Sequence, residues 1–530
     1  MQYTPGPGSR LPRRRLPTRY DRRRVARRRG FVAFVLVALL AIGWYAWPSS
    51  SGGTRAQGHG SRNGGHHQGG GSPSPSSPIS PNVPIKHVVF VVKENRTFNN
   101  FFATYPGAEG STTGGTIKCD SNGCTDGPTV QLKKAQDVQA HDLVHCFRCG
   151  LVAINGGKMN GFNWMNATAD VSSSLDDVYG HDLSGYDYYT RKGLPNYWAY
   201  ADRFVLADHF FTSMYGPTAP EHVYAIAAQS DGIVDNKGTA DHPHSYCDDP
   251  TEYTSRFDPH LSAAERKQIM NTEWSIARTG SGWTDVAGHW QRIRMCINIP
   301  TIADELQKAG VSWTYYAAID AWQNAMQMIR HIRFGPMWHN VRDPSYFTKD
   351  VREGHLPQVS WVIPPESYND HPGAGKSVCA GENWFVNLVN SIMKSQYWRS
   401  TAIVVVWDDF GGFYDPVTPP HEDIMGLGPR TPALIISPYT KPGDNREGGT
   451  VDHTVYESSS VLAFIEQLFG LKPLTERDAN ADPLTGAFDF QHPNFSKLIL
   501  PLRTDCPYGT TLSQLGPAWP FARTIGPATD

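Results

Sequence analysis

Two pairs of oxygen-bearing side chains, Glu94-Asn95 and Asp408-Asp409, stand at the ends of apolar runs, the first after Lys93 and the second directly. The runs are residues 85–92 (IKHVVFVV) and 401–407 (TAIVVVW). In open parallel sheets, ligands bind just beyond the carboxyl ends of the strands. Carboxylates gathered there repel one another unless a cation lies among them, and oxygen donors suit a hard divalent ion. Turn chemistry explains either pair alone, because Asp and Asn favour strand-to-loop junctions. Both pairs together, each after a strand-like run, favour the ion.

Near-continuous apolar, β-branched runs point to strands buried on both faces, and so to a parallel sheet covered by helices. A third run of this kind is 432–437 (PALIIS). Apolar spacing of three to four residues predicts helices over 302–309, 384–394 and 458–468. The expectation is an α/β/α sandwich with a mainly parallel central sheet. Residues 236–300, rich in polar and aromatic side chains, read as an insertion or cap within a domain spanning 85–530.

The N-terminal part has a different character. Eleven arginines lie between Arg10 and Arg29, against one acidic residue, Asp21, while the whole chain has a net charge of −2. The rest of the chain is therefore acidic, which argues against a nucleic-acid-binding body. Residues 31–47 (FVAFVLVALLAIGWYAW) carry no charge. As a helix they would rise about 25 Å, a little short of a hydrocarbon core of roughly 30 Å. Trp44, Tyr45 and Trp47 crowd the distal end, and the basic flank, residues 1–30, is expected to stay cytoplasmic. The segment is predicted to anchor the chain in the cell membrane with the rest outside. Cleaved export is the alternative, for which Arg28-Arg29 loosely fits a twin-arginine signal. Residues 48–84, mostly Ser, Gly, His and Pro, read as a flexible linker. Its His59, His66 and His67 have no ordered backbone to set ligand geometry.

Eight cysteines suit an oxidising compartment. Cys119 with Cys124 and Cys146 with Cys149 are short-range disulfide candidates. Cys247, Cys296, Cys379 and Cys506 are left for longer-range bridges of undetermined pairing.

Seven blocks in order resemble the bacterial phosphoesterase family that includes non-specific phospholipases C and acid phosphatases. They are 85–107 (IKHVVFVVKENRTFNNFFATYPG), 155–162 (NGGKMNGF), 201–218 (ADRFVLADHFFTSMYGPT), 301–316, 356–365, 398–420 and 430–438 (RTPALIISP). The resemblance implies an alkaline-phosphatase-like fold and metal-dependent hydrolysis of phosphate esters. The family's nucleophilic hydroxyl falls on Thr218, and metal coordination is what would activate so weak a nucleophile. His371, in Asn369-Asp370-His371-Pro372, and His145 match family histidines that serve acid catalysis or hold phosphoryl oxygens. Glu94, Asn95, Thr218, Asp408 and Asp409 become the expected ligands of one divalent ion, Ca²⁺, Mg²⁺, Mn²⁺ or Zn²⁺.

Two positions depart from the family. Glu221 stands where Asn is frequent, placing a charge near an anionic substrate unless His222 or a metal neutralises it. Pro416 stands where His is common, and His421 would replace it only if the loop folds back. Residues 218–222 (TAPEH) lack the Cys and Arg of sulfatases, which disfavours sulfate esters. Phospholipase C acting on phospholipids is the leading expectation. Acid phosphatase acting on soluble monoesters is the second, and a catalytically silent surface binding protein the third.

Overall fold

The computed structural model describes residues 83–120, 123–139, 141–165, 182–238, 245–275, 283–373, 375–443 and 449–507. An eight-stranded sheet forms its centre. In chain order the strands are β1 (His87–Lys93), β2 (Val205–Ala207), β3 (Trp313–Tyr316), β4 (Val341–Arg342), β5 (Val359–Val362), β6 (Thr401–Trp407), β7 (Ala433–Ile436) and β8 (Thr450–Asp452). In space they run β4-β3-β5-β1-β6-β7-β2-β8. All are parallel except β7, which is antiparallel to both of its neighbours. Residues 432–437 thus form the expected strand, but in the opposite direction to β1 and β6.

Strand alternation sends successive side chains to opposite layers. On one face, Val88, Phe90, Val404 and Val406 pack with helices α4 (Thr218–Ala227), α6 (Ile302–Ala309) and α9 (Ser458–Phe469). On the other, Val89, Val91, Ile403 and Val405 meet α1 (Phe98–Phe102), α3 (Pro195–Arg203), α7 (Tyr346–Glu353) and α8 (Val378–Lys394). This is the α/β/α sandwich expected from the sequence. Every residue of β6 is buried, and each fully buried Val or Ile stabilises by about 1.5–3 kcal/mol relative to exposure. A third apolar cluster joins α2 (Phe147–Ile154) to Phe257 and Ile269, the latter on α5 (Ala263–Glu273). Within 236–300, an antiparallel pair (Tyr253–Phe257 with Trp290–Arg294) and α5 are held by the Cys247–Cys296 disulfide.

The remaining bridges are Cys119–Cys124, Cys146–Cys149 and Cys379–Cys506. Both short-range candidates are therefore paired, and the distant four resolve into two bridges. No helix among the described residues is long and apolar enough to cross a membrane. The expected anchor (31–47), its basic flank (1–30) and nearly all of the linker (48–84) lie outside the described residues.

A buried ion pair ties the end of β1 to the loop after β5. Lys93 Nζ lies 2.8 Å from Asp370 Oδ2, and both side chains are fully buried. Lys93 also donates to the Tyr197 hydroxyl and the Gly381 carbonyl, while Trp407 Nε1 donates to Asp370. Arg96 donates to the Asp370 carbonyl through Nε and Nη2. Lys93→Met strands the Asp370 carboxylate without its cation. Chemical denaturation is expected to show a loss of about 3–5 kcal/mol, the cost of breaking a buried pair from one side.

Candidate active site

The register of the sheet brings the two acidic pairs together. Lys93 on β1 lies opposite Trp407 on β6, so Glu94-Asn95 and Asp408-Asp409 leave the same edge side by side. Asn95 is in the left-handed region at φ 59°, a conformation Asn tolerates, and its backbone N–H donates to Asp408 Oδ1 at 2.8 Å. Its Nδ2 donates to Asp409 Oδ1 at 3.1 Å and lies 2.9 Å from His145 Nε2. Gly411, at φ 56°, donates its N–H to Asp409 Oδ1 at 2.7 Å. A Cβ at Gly411 would stand 2.4 Å from the Asn95 carbonyl oxygen and 2.7 Å from Asn95 Cβ. Gly411→Ala is therefore expected to displace Asn95 and reduce turnover at least tenfold, checked by steady-state assay beside a melting curve.

Thr218 is the first residue of α4, and its hydroxyl donates to Asp409 Oδ2 at 3.2 Å. The positive end of the helix dipole makes favourable surroundings for an anion, although the Ala219 N–H is taken by Asn236 Oδ1 at 2.9 Å and Pro220 has no N–H. One turn on, at the i+4 position of the same face, stands His222. Its Nε2 is 3.0 Å from Glu94 Oε1 and 3.8 Å from Asp408 Oδ2. Glu94, His222 and Asp408 bring ligand atoms within 4.8 Å of one another. His222, like Asp142 of the neighbouring group, is a ligand-type residue that the sequence does not by itself place in the site. Its signal was the four-residue spacing from Thr218.

These groups fit a divalent ion. Glu94, Asp408 and Asp409 are buried, and among the described residues no Lys or Arg lies within salt-bridge distance of them. Asn95 Oδ1, Asp408 Oδ2 and His222 Nδ1 are buried without a hydrogen-bond partner among the described residues. Burial, then the Asp409 charge, pushes the Glu94 carboxyl well above its usual range. Burial, then Asp409 and Glu94, does the same to Asp408. Uncompensated carboxylates in such surroundings are costly, and a cation removes that cost.

A second group flanks the first. Asp142, His145 and His371 also bring ligand-type atoms within 4.8 Å of one another. The two imidazole rings are 6.1 Å apart, and His371 Nε2 lies 3.9 Å from Asp142 Oδ2. Their protonation is set apart. Burial opposes a charge on His145, but the carboxylates of Asp409 and Asp142 outweigh it and raise the ring to about 9. For His371 burial prevails over Asp142, and the ring falls to about 4.

Both departures from the family pattern have physical accounts. Glu221 is buried, and its carboxylate accepts the backbone N–H groups of Ser213 (3.1 Å) and Met214 (2.8 Å). It braces the turn before Thr218 and is not paired with His222. His421 does not take the place of the missing histidine. It stacks on Trp274 with ring centroids 4.7 Å apart and lies 3.2 Å from Glu273 Oε2. The neighbouring Asp415 instead binds Arg430 in a fully buried pair.

An α/β/α sandwich with carboxylates converging from adjacent strand ends, opposite a hydroxyl at a helix N-terminus, is the arrangement that the family resemblance of the sequence implies. A sequence model of the phosphoesterase family matches residues 85–472, and the chain belongs to that family. It is 26% identical over 473 residues to phospholipase C B of Mycobacterium tuberculosis, covering 77% of this chain and 78% of that one. It is 25% identical over 458 residues to the hemolytic phospholipase C of Pseudomonas aeruginosa, covering 77% of this chain. The match spans only 56% of the Pseudomonas protein's length. A solved structure from the alkaline phosphatase superfamily of Vibrio parahaemolyticus aligns over 75% of this chain and 69% of its own. Its identity is 11% and its TM-score 0.31.

Proposed function

We propose that this protein is a metal-dependent phospholipase C that attacks the phosphorus of phospholipids with the hydroxyl of Thr218. The observation that carries the reading is the seat of Thr218: a hydroxyl at a helix N-terminus, bonded to Asp409 and one helical turn from the Glu94–His222–Asp408 group. Glu94, His222 and Asp408 would hold a divalent ion, with Asn95, Asp409 and Thr218 at its border. Such an ion supplies Lewis acidity that lowers the hydroxyl pKa and neutralises phosphoryl charge. The imidazole nitrogen of His222 among oxygen donors moves the preference from Ca²⁺ or Mg²⁺ toward Zn²⁺ or Mn²⁺.

The chain's own residues divide the remaining work. Asp409 orients the Thr218 hydroxyl and accepts its hydrogen bond. His145, next to Asp409 and Asp142, is placed at the phosphoryl oxygens or the leaving alcohol, and in its charged form would donate to them. His371 stays neutral beside it, assisted by Asp142. Formation of the Thr218 Oγ–P bond would break the P–O bond to diacylglycerol, which leaves with a proton. Water would then cleave the phosphoryl headgroup from Thr218 and restore its hydroxyl. Four disulfides support an extracytoplasmic site of action, and residues 31–47 would tether the enzyme near lipid.

The test compares release of phosphocholine from phosphatidylcholine with release of p-nitrophenol from p-nitrophenyl phosphate. Chelated protein is given Mg²⁺, Ca²⁺, Mn²⁺ or Zn²⁺ in turn. Turnover of the lipid, restored by metal, is expected. Turnover of the monoester alone would make the protein an acid phosphatase, and turnover of neither would make it a binding protein.

A further inference from the structure

The far edge of the sheet repeats, with different residues, the arrangement found at β1 and β6. Strands β2 and β8 are parallel neighbours, with Ala207 opposite Asp452. Beyond those ends the chain reads Asp208-His209 on one side and His453 on the other, joined by a hydrogen bond from Asp208 N to the Asp452 carbonyl at 3.1 Å. Asp208, His209 and His453 bring ligand atoms within 4.8 Å of one another. Glu109 adds a fourth group, its Oε2 3.2 Å from His209 Nε2. We propose that Asp208, His209, His453 and Glu109 form a second metal site, for a zinc-like transition-metal ion, separate from the catalytic cluster. The proposal does not rest on the reading of the catalytic site.

Three observations favour a site over a chance meeting of surface charges. The first is spacing. His453 Nδ1 lies 2.8 Å from Asp208 Oδ1, and the His209–Glu109 pair is 3.2 Å apart. Ligand atoms around a tetrahedral ion with bonds of about 2.0–2.1 Å stand roughly 3.3 Å apart, which these two pairs approach. The imidazole rings, with centroids 5.9 Å apart, would have to turn toward a shared ion. The second is rigidity. Asp208 is buried, and its Oδ2 accepts the Glu109 backbone N–H at 2.8 Å. Arg430 donates to the carbonyls of both Asp208 (2.6 Å) and Glu109 (2.8 Å), clamping the two backbones together.

The third is charge. Arg430 would be the natural counter-ion, but its guanidinium is already paired with Asp415 through bonds of 2.9 and 3.2 Å. Among the described residues no Lys or Arg pairs with the Asp208 carboxylate, with Glu109 or with the two imidazoles. Their charge is therefore balanced by the imidazoles alone or by an added ion, and the donor set matches a divalent ion. Two nitrogen ligands select zinc-like ions over Ca²⁺ and Mg²⁺. His209 and His453 are 20% and 55% exposed, so an ion can enter from solvent.

The place is distinct from the catalytic cluster. β7 separates β2 from β6, which sets the two strand ends about 10 Å apart at usual strand spacing. Yet the chain leaving His209 is the segment that carries Thr218 nine residues later. An ion here would staple the root of that segment to the Glu109 loop and to β8.

The experiment uses the full chain, stripped of metal and titrated with Zn²⁺ by calorimetry, then with Co²⁺ by visible absorption. His453→Ala, the double variant H209A/H453A and the catalytic-cluster variant D408N are compared with wild type. The linker histidines are common to all four chains, so differences report only the two clusters. H209A/H453A is expected to lose one equivalent of Zn²⁺ and the part of the tetrahedral Co²⁺ absorption that D408N retains, while D408N loses the equivalent and the absorption of the catalytic cluster. His453→Ala should weaken Zn²⁺ at this site at least tenfold. His453→Gln, with a melting curve of the zinc-free form equal to wild type, separates ligand loss from misfolding. Unchanged stoichiometry and Co²⁺ spectrum in a folded H209A/H453A protein, or unchanged Zn²⁺ affinity in a folded His453→Gln protein, would overturn the proposal.

Discussion

Thr218→Ala is expected to lower turnover of phosphatidylcholine by a factor on the order of 10³ or more, while the protein melts within a few degrees of wild type. The activity follows from chemistry: among the described residues no second hydroxyl is held by Asp409 at the head of α4, so the attacking atom is removed outright. The small effect on stability follows from the environment. The lost groups are one hydroxyl making one hydrogen bond to Asp409 and one methyl, together about 1–2 kcal/mol. Thr218 also begins its helix and does not cap it, since the capping position belongs to Pro217. Thr218→Ser, which keeps the hydroxyl, is expected to recover a measurable part of the activity. Steady-state assay and calorimetry on the three proteins check both halves.

Asp408→Asn is expected to separate activity from stability with opposite signs. The amide still accepts the Asn95 N–H through its oxygen, so the connection between β1 and β6 survives. What disappears is one of the three carboxylates buried together, and with it like-charge repulsion toward Glu94 and Asp409. The metal-free variant should therefore melt higher than metal-free wild type. The order reverses once the ion is supplied. Wild type at a hundredfold excess of metal over its Kd gains about 2.7 kcal/mol, a gain that Asn at 408 largely forfeits. Hydrolysis is lost under both conditions. Melting curves with and without added metal provide the check, and a metal-free variant that melts lower than wild type would count against repulsion.

The parts of this molecule that the sequence discloses are those set by local composition. β1 and β6 are buried on both faces, so their apolar runs are continuous and their ends are marked by the first charged residues. Sheet register then does what composition cannot state, setting Lys93 beside Trp407 and four site residues side by side. The direction of β7 is not local information, because a parallel and an antiparallel buried strand carry the same residues. Strands as short as Val205–Ala207 give too little pattern to be read as strands.

His222 shows a different kind of miss. Its four-residue spacing puts it on the face of Thr218, but only the folded helix shows that the adjacent Glu221 and His222 go to different partners. Glu221 turns to the backbone of Ser213 and Met214, while His222 turns to Glu94 and Asp408. His421 had no local signal at all. Its stacking on Trp274 depends on how the 236–300 region folds over the loop after β6.

Thr218 as the covalent nucleophile is the centre of this account, and acid-quenched turnover followed by peptide mapping tests it most directly. Wild-type protein turning over phosphatidylcholine in the presence of metal should carry a phosphoryl-headgroup adduct on the peptide containing Thr218, absent from Thr218→Ala. An adduct on another residue, or full turnover by Thr218→Ala, would contradict it.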